Sequence, residues 1–231
     1  MLGCTCSNKR LSDPFTGGAT SPSLLELIKI LQVLPANTLR MVHYYTDNPD
    51  KLAEEVLRLY QEPWPFKAAG YSIWPELSQA IQINQKWPDA AQIQQIKSKL
   101  DLITVLQLPR EVLSQELETI LAVLTRYQGQ ADYLLIDPSG GEGKDFDLEK
   151  SCDLLVSLDD ALPNTTIGVA GGFSAENVAD RINNIYTKVK RPFCVDAQGK
   201  LRTQNRLDHQ KCQNYLQNAV EAWLQIYQNS T

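Results

Sequence analysis

The 231-residue chain predicts an α/β fold, and within that class a (β/α)8 barrel. Three observations carry the prediction. Short apolar runs of strand length alternate with longer amphipathic segments of helical period along the sequence. The units recur every roughly 25–40 residues, the spacing of parallel strands joined by helical crossovers. Several strand candidates are followed at once by a carboxylate or a glycine pair, as at the C-terminal face of such a barrel. A doubly wound open sheet is the alternative. No Gly-x-Gly-x-x-Gly follows the first strand, which lowers a dinucleotide-binding reading.

Taken in order, residues 1–22 are small, polar and rich in Gly and Pro, an irregular N-terminal segment with a short strand candidate at Leu2–Cys6. Ser21 or Ser23 caps a helix through Leu24, Leu27, Ile28 and Leu31 that Pro35 closes. Leu39–Thr46 is a strand, Asp47–Asp50 a turn, and Leu52, Val56, Leu57 and Tyr60 form a helical face. Residues 62–76 hold Trp64, Phe66, Tyr71 and Trp74 among prolines, a loop whose rings plug a core rim. Ala80–Asn84 is a strand, a helix follows from Ala90 to Lys99, and Leu102–Leu108 is another strand. One helix is expected from Pro109 to Tyr127, stopped by Gly129. Tyr133–Ile136 is a buried strand and Asp147–Leu158 a helix. Thr165–Ala170 is a strand ending in Gly171-Gly172, with Ser174 capping a helix to Lys188. Phe193–Ala197 is the last strand, and Asp208–Tyr227 the last helix. The strands thus number six firm ones and one short N-terminal candidate, all in a single domain spanning 1–231.

Composition narrows the function classes. Apolar residues make up 43% of the chain, enough for a substantial core. Net charge is −5 and the pI about 5.1, with basic residues scattered, which argues against a nucleic-acid partner. No apolar run approaches a membrane span. The five cysteines are odd in number and lack disulfide spacing, so the chain reads as belonging to a reducing compartment, the cytoplasm. Two histidines leave little for a zinc site, and no metal is expected. Cys4-Thr5-Cys6 has no second pair behind it. Leu2 blocks a myristoylation signal, and Cys4 lacks the apolar stretch a lipoprotein signal needs.

The chemistry-bearing stretch runs from Ala131 to Leu148. Asp137 stands at the end of an apolar strand and Gly140-Gly141-Glu142-Gly143 follows as a flexible turn. In a barrel, Asp137, Gly171-Gly172 and Ala197–Gly199 would share the face formed by strand C-termini. Gly171-Gly172 before a helix start also suits an anion.

These residues resemble the phosphoribosylanthranilate isomerase family. Asp132–Asp137 with Gly140-Gly141-Glu142-Gly143-Lys144-Asp145-Phe146-Asp147 is similar to that family's Leu-Leu-Asp strand end and Gly-Gly-[Thr/Ser]-Gly-x-x-Phe-Asp loop. Val169–Val178 resembles its Leu-Ala-Gly-Gly-Leu-x-x-Glu-Asn-Val motif, and Val195-Asp196 the start of its final strand motif. Ala80–Ile83 is a fainter match to its Val-Gln-Leu-His-Gly strand. The resemblance implies a (β/α)8 barrel of the ribulose-phosphate-binding kind, catalysing an Amadori rearrangement of a phosphorylated ribosyl amine in tryptophan biosynthesis. It implies Asp137 as general acid at the sugar-ring oxygen. It implies Gly171, Gly172 and Gly199 around the substrate phosphate, and Gln82 and Asp196 as further substrate contacts. The partner would be a small phosphosugar, with no cofactor.

Departures from the family pattern are equally specific. The family's base is a cysteine in Lys-Ile-Cys-Gly on its first strand, and that motif is absent, leaving Cys4 or Cys6 as the substitutes and the first βα unit incomplete or altered. The arginine of its substrate-side segment is missing around Phe15–Pro22. Asn84 stands where the family has histidine, and Lys200 and Arg202 replace its Ser-Gly-Val-Glu ending. The sequence therefore supports two functions: an isomerase, or a degenerate barrel that binds a phosphosugar without turning it over. It leaves the oligomeric state open.

Overall fold

The computed structural model describes residues 1–18, 21–35, 37–64, 72–84, 88–108, 110–137, 148–204 and 206–230. The glycine loop Gly140–Gly143, with Phe66 and Tyr71 of the aromatic segment, lies outside the described residues.

Among the described residues, seven strands succeed one another ahead of a C-terminal hairpin: β1 Leu2–Ser7, β2 Arg40–Tyr45, β3 Ala80–Asn84, β4 Ile103–Leu108, β5 Tyr133–Ile136, β6 Thr166–Val169 and β7 Cys194–Val195. The described residues also form ten α-helical segments: α1 Lys9–Ser12, α2 Leu24–Val33, α3 Leu52–Gln61, α4 Trp74–Leu77, α5 Ala90–Lys99, α6 Arg110–Leu113, α7 Leu117–Leu124, α8 Leu148–Ala161, α9 Val178–Val189 and α10 His209–Ser230. The chain divides into two compact units. The N-terminal unit comprises Met1–Gln107 and Arg126–Tyr133, and the C-terminal unit Leu108–Thr125 and Leu134–Thr231. Within each unit the strands lie in chain order.

In the N-terminal unit, β1, β2, β3 and β4 pair in parallel. The segment 1–22 is therefore less irregular than its composition suggests. β1 pairs with β2 over all six of its residues, and Lys9–Ser12 forms a helical turn directly after it. Small and polar side chains conceal a strand whose apolar partners all sit on β2. Arg10, in that turn, donates to the Thr16 carbonyl and to the Oγ and carbonyl of Ser21, tying the following loop back to the strand end.

Ser23 caps α2 with a full capping box: its Oγ accepts from the Glu26 N–H, and the Glu26 carboxylate accepts from the Ser23 N–H. Leu24, Leu27, Ile28 and Leu31 form the buried face of that helix. Trp74 and Tyr60 are buried with tilted rings, and the Tyr60 hydroxyl donates to Ser78. The Trp64 ring, also buried, carries the Arg58 guanidinium 4.9 Å from its centroid. Both described tryptophans of the aromatic loop are thus core residues, as their apolar area dictates.

Asp132 links the strand ends of this unit. Its Oδ2 accepts from Lys97 Nζ at 2.7 Å, the Thr104 N–H at 2.7 Å and Thr104 Oγ1 at 2.9 Å. Burial alone would raise the Asp132 carboxyl, but these donors outweigh it and hold the group below its ordinary range.

In the C-terminal unit β6 and β7 pair in parallel, with Gly168 beside Cys194 and Val169 beside Val195. A methyl group on Gly168 would lie 3.2 Å from Leu135 Cδ1 and 3.3 Å from Cys194 Cβ, so the glycine is what lets these strands close up. The expected helix from Pro109 to Tyr127 is broken into α6, α7 and a 3₁₀ turn at Thr125–Tyr127. The polar run Ser114-Gln115-Glu116 provides no apolar side chain to hold a turn against a sheet, and Glu116 adopts extended backbone as the cap of α7. After β7 the chain makes a 3₁₀ turn at Gly199–Leu201 and a two-residue antiparallel hairpin, Arg202–Thr203 with Arg206–Leu207. Asp208 then caps α10 by accepting from the Gln210 and Lys211 N–H groups. Among the described residues no helix is long and apolar enough to cross a membrane.

Candidate functional site

The strand ends of the C-terminal unit hold the candidate chemistry. Extending the β6–β7 register by one residue sets Ala170 beside Asp196, and the Asp196 N–H donates to the Val169 carbonyl at 2.9 Å. The Ala170 N–H donates to the Ile136 carbonyl at 2.8 Å, which sets Asp137 beside Ala170. Leu135, Gly168 and Cys194 share a face of the sheet, as the close approach at Gly168 shows. Two residues further along each strand, Asp137, Ala170 and Asp196 lie on that same face. Phe193 and Val195 take the opposite face, where Phe193 packs edge-on against Trp223 of α10 with ring centroids 4.9 Å apart.

Asp137 is buried at 4% exposure and Asp196 is half-buried. Loss of hydration and the neighbouring Asp137 carboxylate push the Asp196 carboxyl up to about 6. Tyr215 of α10 is buried, and its hydroxyl has no hydrogen-bond partner. Burial, and then the Asp196 charge, push its ionisation upward.

Between the two aspartates the chain turns through Gly171 and Gly172, at φ 113° and 64°. Both values lie in the left-handed region that favours glycine. The carbonyls of this turn are tied into the start of α9. Gly171 O accepts from Arg181 Nη1 at 2.7 Å and Gly172 O from Asn177 Nδ2 at 3.0 Å. Because each peptide is planar and trans, the N–H groups of Gly172 and Phe173 face away from those donors. Successive N–H groups turned the same way make a concavity that suits an anion. Ser174 begins the turn that leads into α9 instead of capping the helix. Its N–H donates to Asn177 Oδ1 and its carbonyl accepts from the Val178 N–H, with Asn177 at the cap position. Arg181 and Asn177 are residues that sequence reading missed; their spacing, ten residues beyond Gly171 and five beyond Gly172, is the signal that could have found them. Gly199 is exposed and opens the 3₁₀ turn three residues beyond Asp196.

The N-terminal unit places Gln82 and the two candidate base cysteines on opposite faces of its sheet. The register puts Thr5, His43, Gln82 and Val105 in one row. Gln82 is 4% exposed, and its Nε2 donates to Gln107 Oε1 at 3.2 Å. Cys4 and Cys6 alternate to the other face, alongside Val42 and Tyr44. The Tyr44 hydroxyl donates to Glu55 of α3, so this is the face that helices cover. Cys6 is fully buried and its thiol donates to the Ser7 carbonyl. Burial pushes that thiol up to about 12, against a smaller opposing pull from Arg10, and burial raises Cys4 as well. The sequence expectation is that Cys4 or Cys6 replaces the missing base, and the register places both on the face away from Gln82. They belong to the layer between strand and helix, where the thiolate a base requires is disfavoured. Among the described residues no group of three or more His, Cys, Asp or Glu side chains is placed to hold a metal ion.

The family model described as N-(5'phosphoribosyl)anthranilate (PRA) isomerase matches residues 76–218. That span contains Gln82, Asp137, Gly171, Gly172, Asp196 and Gly199, and leaves Cys4 and Cys6 outside. An N-(5'-phosphoribosyl)anthranilate isomerase of Haloarcula marismortui is 29% identical over 141 residues, 58% of this chain and 61% of the relative. The aligned part thus spans about three fifths of that relative's length. The solved isomerase of Pyrococcus furiosus is similar in fold, with a TM-score of 0.56 at 16% identity over 96% of this chain and 99% of its own. A second isomerase, solved in complex with reduced 1-(o-carboxyphenylamino)-1-deoxyribulose 5-phosphate, gives a TM-score of 0.57 at 16% identity over 95% and 86%. These likenesses establish an α/β TIM-type fold. With well over half of its residues matched by the family model, the chain belongs to the N-(5'-phosphoribosyl)anthranilate isomerase family.

Proposed function

We propose that the chain isomerises N-(5'-phosphoribosyl)anthranilate by an Amadori rearrangement, as a step of tryptophan biosynthesis. The observation that carries this reading is the arrangement of strand ends in the C-terminal unit. Two carboxylates on one face flank a turn whose carbonyls are tied back and whose N–H groups are turned outward. A phosphorylated sugar needs both parts: donors for the phosphate and acid–base groups for the ring. Asp137, on the buried side of this pair, takes the role of acid at the ring oxygen. Gly171 and Gly172 hold the phosphate through backbone N–H groups, and the start of α9 adds a favourable dipole. Gly199 is proposed as a further substrate contact. The complex formed by the related isomerase, with a carboxyphenylamino deoxyribulose phosphate, supports a ligand of this class. The whole chain acts as one enzyme domain in this reading, and in the cytoplasm.

The test is turnover of phosphoribosylanthranilate by the purified chain, followed by coupling its product to the next enzyme of the route. A turnover number of at least about 1 per second is the expected outcome for an enzyme of ordinary proficiency. A rate at the uncatalysed level, with phosphate still raising the melting temperature, would favour a phosphosugar-binding protein without isomerase activity.

A further inference from the structure

Resting on the isomerase reading, we propose that Asp196 is the general base of this chain, taking the C2′ proton while Asp137 serves as the acid. The geometry is the first support. Asp137 and Asp196 stand on one face with Ala170 between them, in consecutive positions across three strand ends. At the usual strand spacing their Cα atoms lie about 9–10 Å apart. Two carboxylates extending into that interval can reach a sugar ring from its two sides. The Gly171-Gly172 turn begins directly after Ala170, so the anion-binding N–H groups arise at the middle of the same row.

The second support is the position of the other candidates. Cys4 and Cys6 face the helix layer and are opposite to Gln82 on the sheet. Cys194 does share the face of Asp196, but it lies two residues earlier on β7, about 7 Å deeper. Its thiol is raised by burial. Asp196 combines the right face, the strand-end position and partial exposure. Within the C-terminal unit, the groups acting electrostatically on it are the Asp137 carboxylate and the Tyr215 hydroxyl. Burial, the larger cause, raises the Asp196 carboxyl and makes it a stronger base than an exposed carboxylate.

The proton and electron balance closes within the substrate. The Asp137 carboxyl gives its proton to the ring oxygen as the C1′–O bond breaks, and the anthranilate nitrogen lone pair forms C1′=N. The Asp196 carboxylate takes the C2′ proton. The C2′–H electron pair becomes C1′=C2′, and the C1′=N π pair returns to nitrogen. The enol then releases its hydroxyl proton and C1′ takes one up. C2′ is oxidised to the ketone and C1′ reduced to the methylene, with no external donor.

The experiment compares the wild-type chain with Asp196→Asn, Asp196→Glu and Cys194→Ala in turnover of phosphoribosylanthranilate across pH. Asp196→Asn should lose about 10²–10⁴-fold in kcat. Asp196→Glu should recover part of that loss, and Cys194→Ala should stay within about threefold of wild type. The wild-type rate should fall on the acid side as the Asp196 carboxylate takes up a proton, and the residual rate of Asp196→Asn should lack that limb. Inorganic phosphate should still raise the melting temperature of Asp196→Asn, which separates loss of the base from loss of the fold. An Asp196→Asn chain with wild-type kcat, or one that keeps the acid limb, would overturn the assignment, as would loss of turnover in Cys194→Ala. A wild-type chain without turnover would overturn the isomerase reading itself, and the base with it.

Discussion

The two compact units handle polar groups in opposite ways. In the N-terminal unit several polar side chains bond one another across neighbouring elements. Gln82 bonds Gln107, Asp132 is surrounded by Lys97 and Thr104, and the Tyr60 hydroxyl donates to Ser78. Its thiols are turned toward helices. In the C-terminal unit two like charges stand on one face, and one of them is pushed away from its ordinary ionisation by the other and by burial. The proposed chemistry thus draws on the strand-end carboxylates of the C-terminal unit, while Asp132 and Tyr60 of the other unit tie neighbouring elements together.

The sharpest way to break this comparison is at Gly172. Its φ of 64° and its place at the proposed anion site make Gly172→Glu a double disturbance, adding bulk and negative charge. Inorganic phosphate should raise the melting temperature of the wild-type chain, by about 3 kcal/mol of stabilisation at a hundredfold excess over its Kd. The variant should show no shift. A retained shift would move the anion elsewhere.

His43 gives a test of the N-terminal unit. Burial lowers its imidazole to about 4, and its Nε2 has no hydrogen-bond partner. The unfolded chain takes up the proton near pH 6.5, while the folded chain resists it until about 4. Stability linked to this group is therefore complete above about pH 6.5 and is lost as pH falls toward 4, by an amount on the order of 3 kcal/mol. Urea unfolding of His43→Gln at a series of pH values should show that slope flattened. An unchanged slope would show that other groups carry it.

A smaller effect is expected at the cysteines. Cys4→Ala should change turnover of phosphoribosylanthranilate by less than about threefold, since removing a group outside the reacting atoms spares the 10²–10⁴ attributed to a base. A collapse of rate to the level of a missing base would contradict the placement of β1.

Much of this architecture was legible in the sequence, and the exceptions have physical causes. The strand at Ala80–Asn84 and the helix at Ala90–Lys99 were readable to the residue, because each has a clean period and a strong boundary. Asp89 caps the helix by accepting from the Ala91 N–H. The expected strands at Thr165–Ala170 and Phe193–Ala197 are shorter in the structure, since their last residues turn into the glycine and Gln198 loops. β1 was readable only as a candidate, because a strand of Gly, Cys, Thr and Ser lacks the β-branched apolar signal and depends on its neighbour for burial. Asp137, Gly171 and Gly172 were legible from glycine and carboxylate chemistry at strand ends. The position of Asp196 against Ala170, and the ties from Arg181 and Asn177, depend on register between strands, which a single sequence does not encode.

The most direct test of the claim that the C-terminal strand ends perform the chemistry is the kcat of Asp137→Asn on phosphoribosylanthranilate beside the wild-type chain. The account predicts a loss of about 10²–10⁴-fold, with melting temperature and its phosphate-dependent rise preserved. Turnover equal to wild type would contradict it.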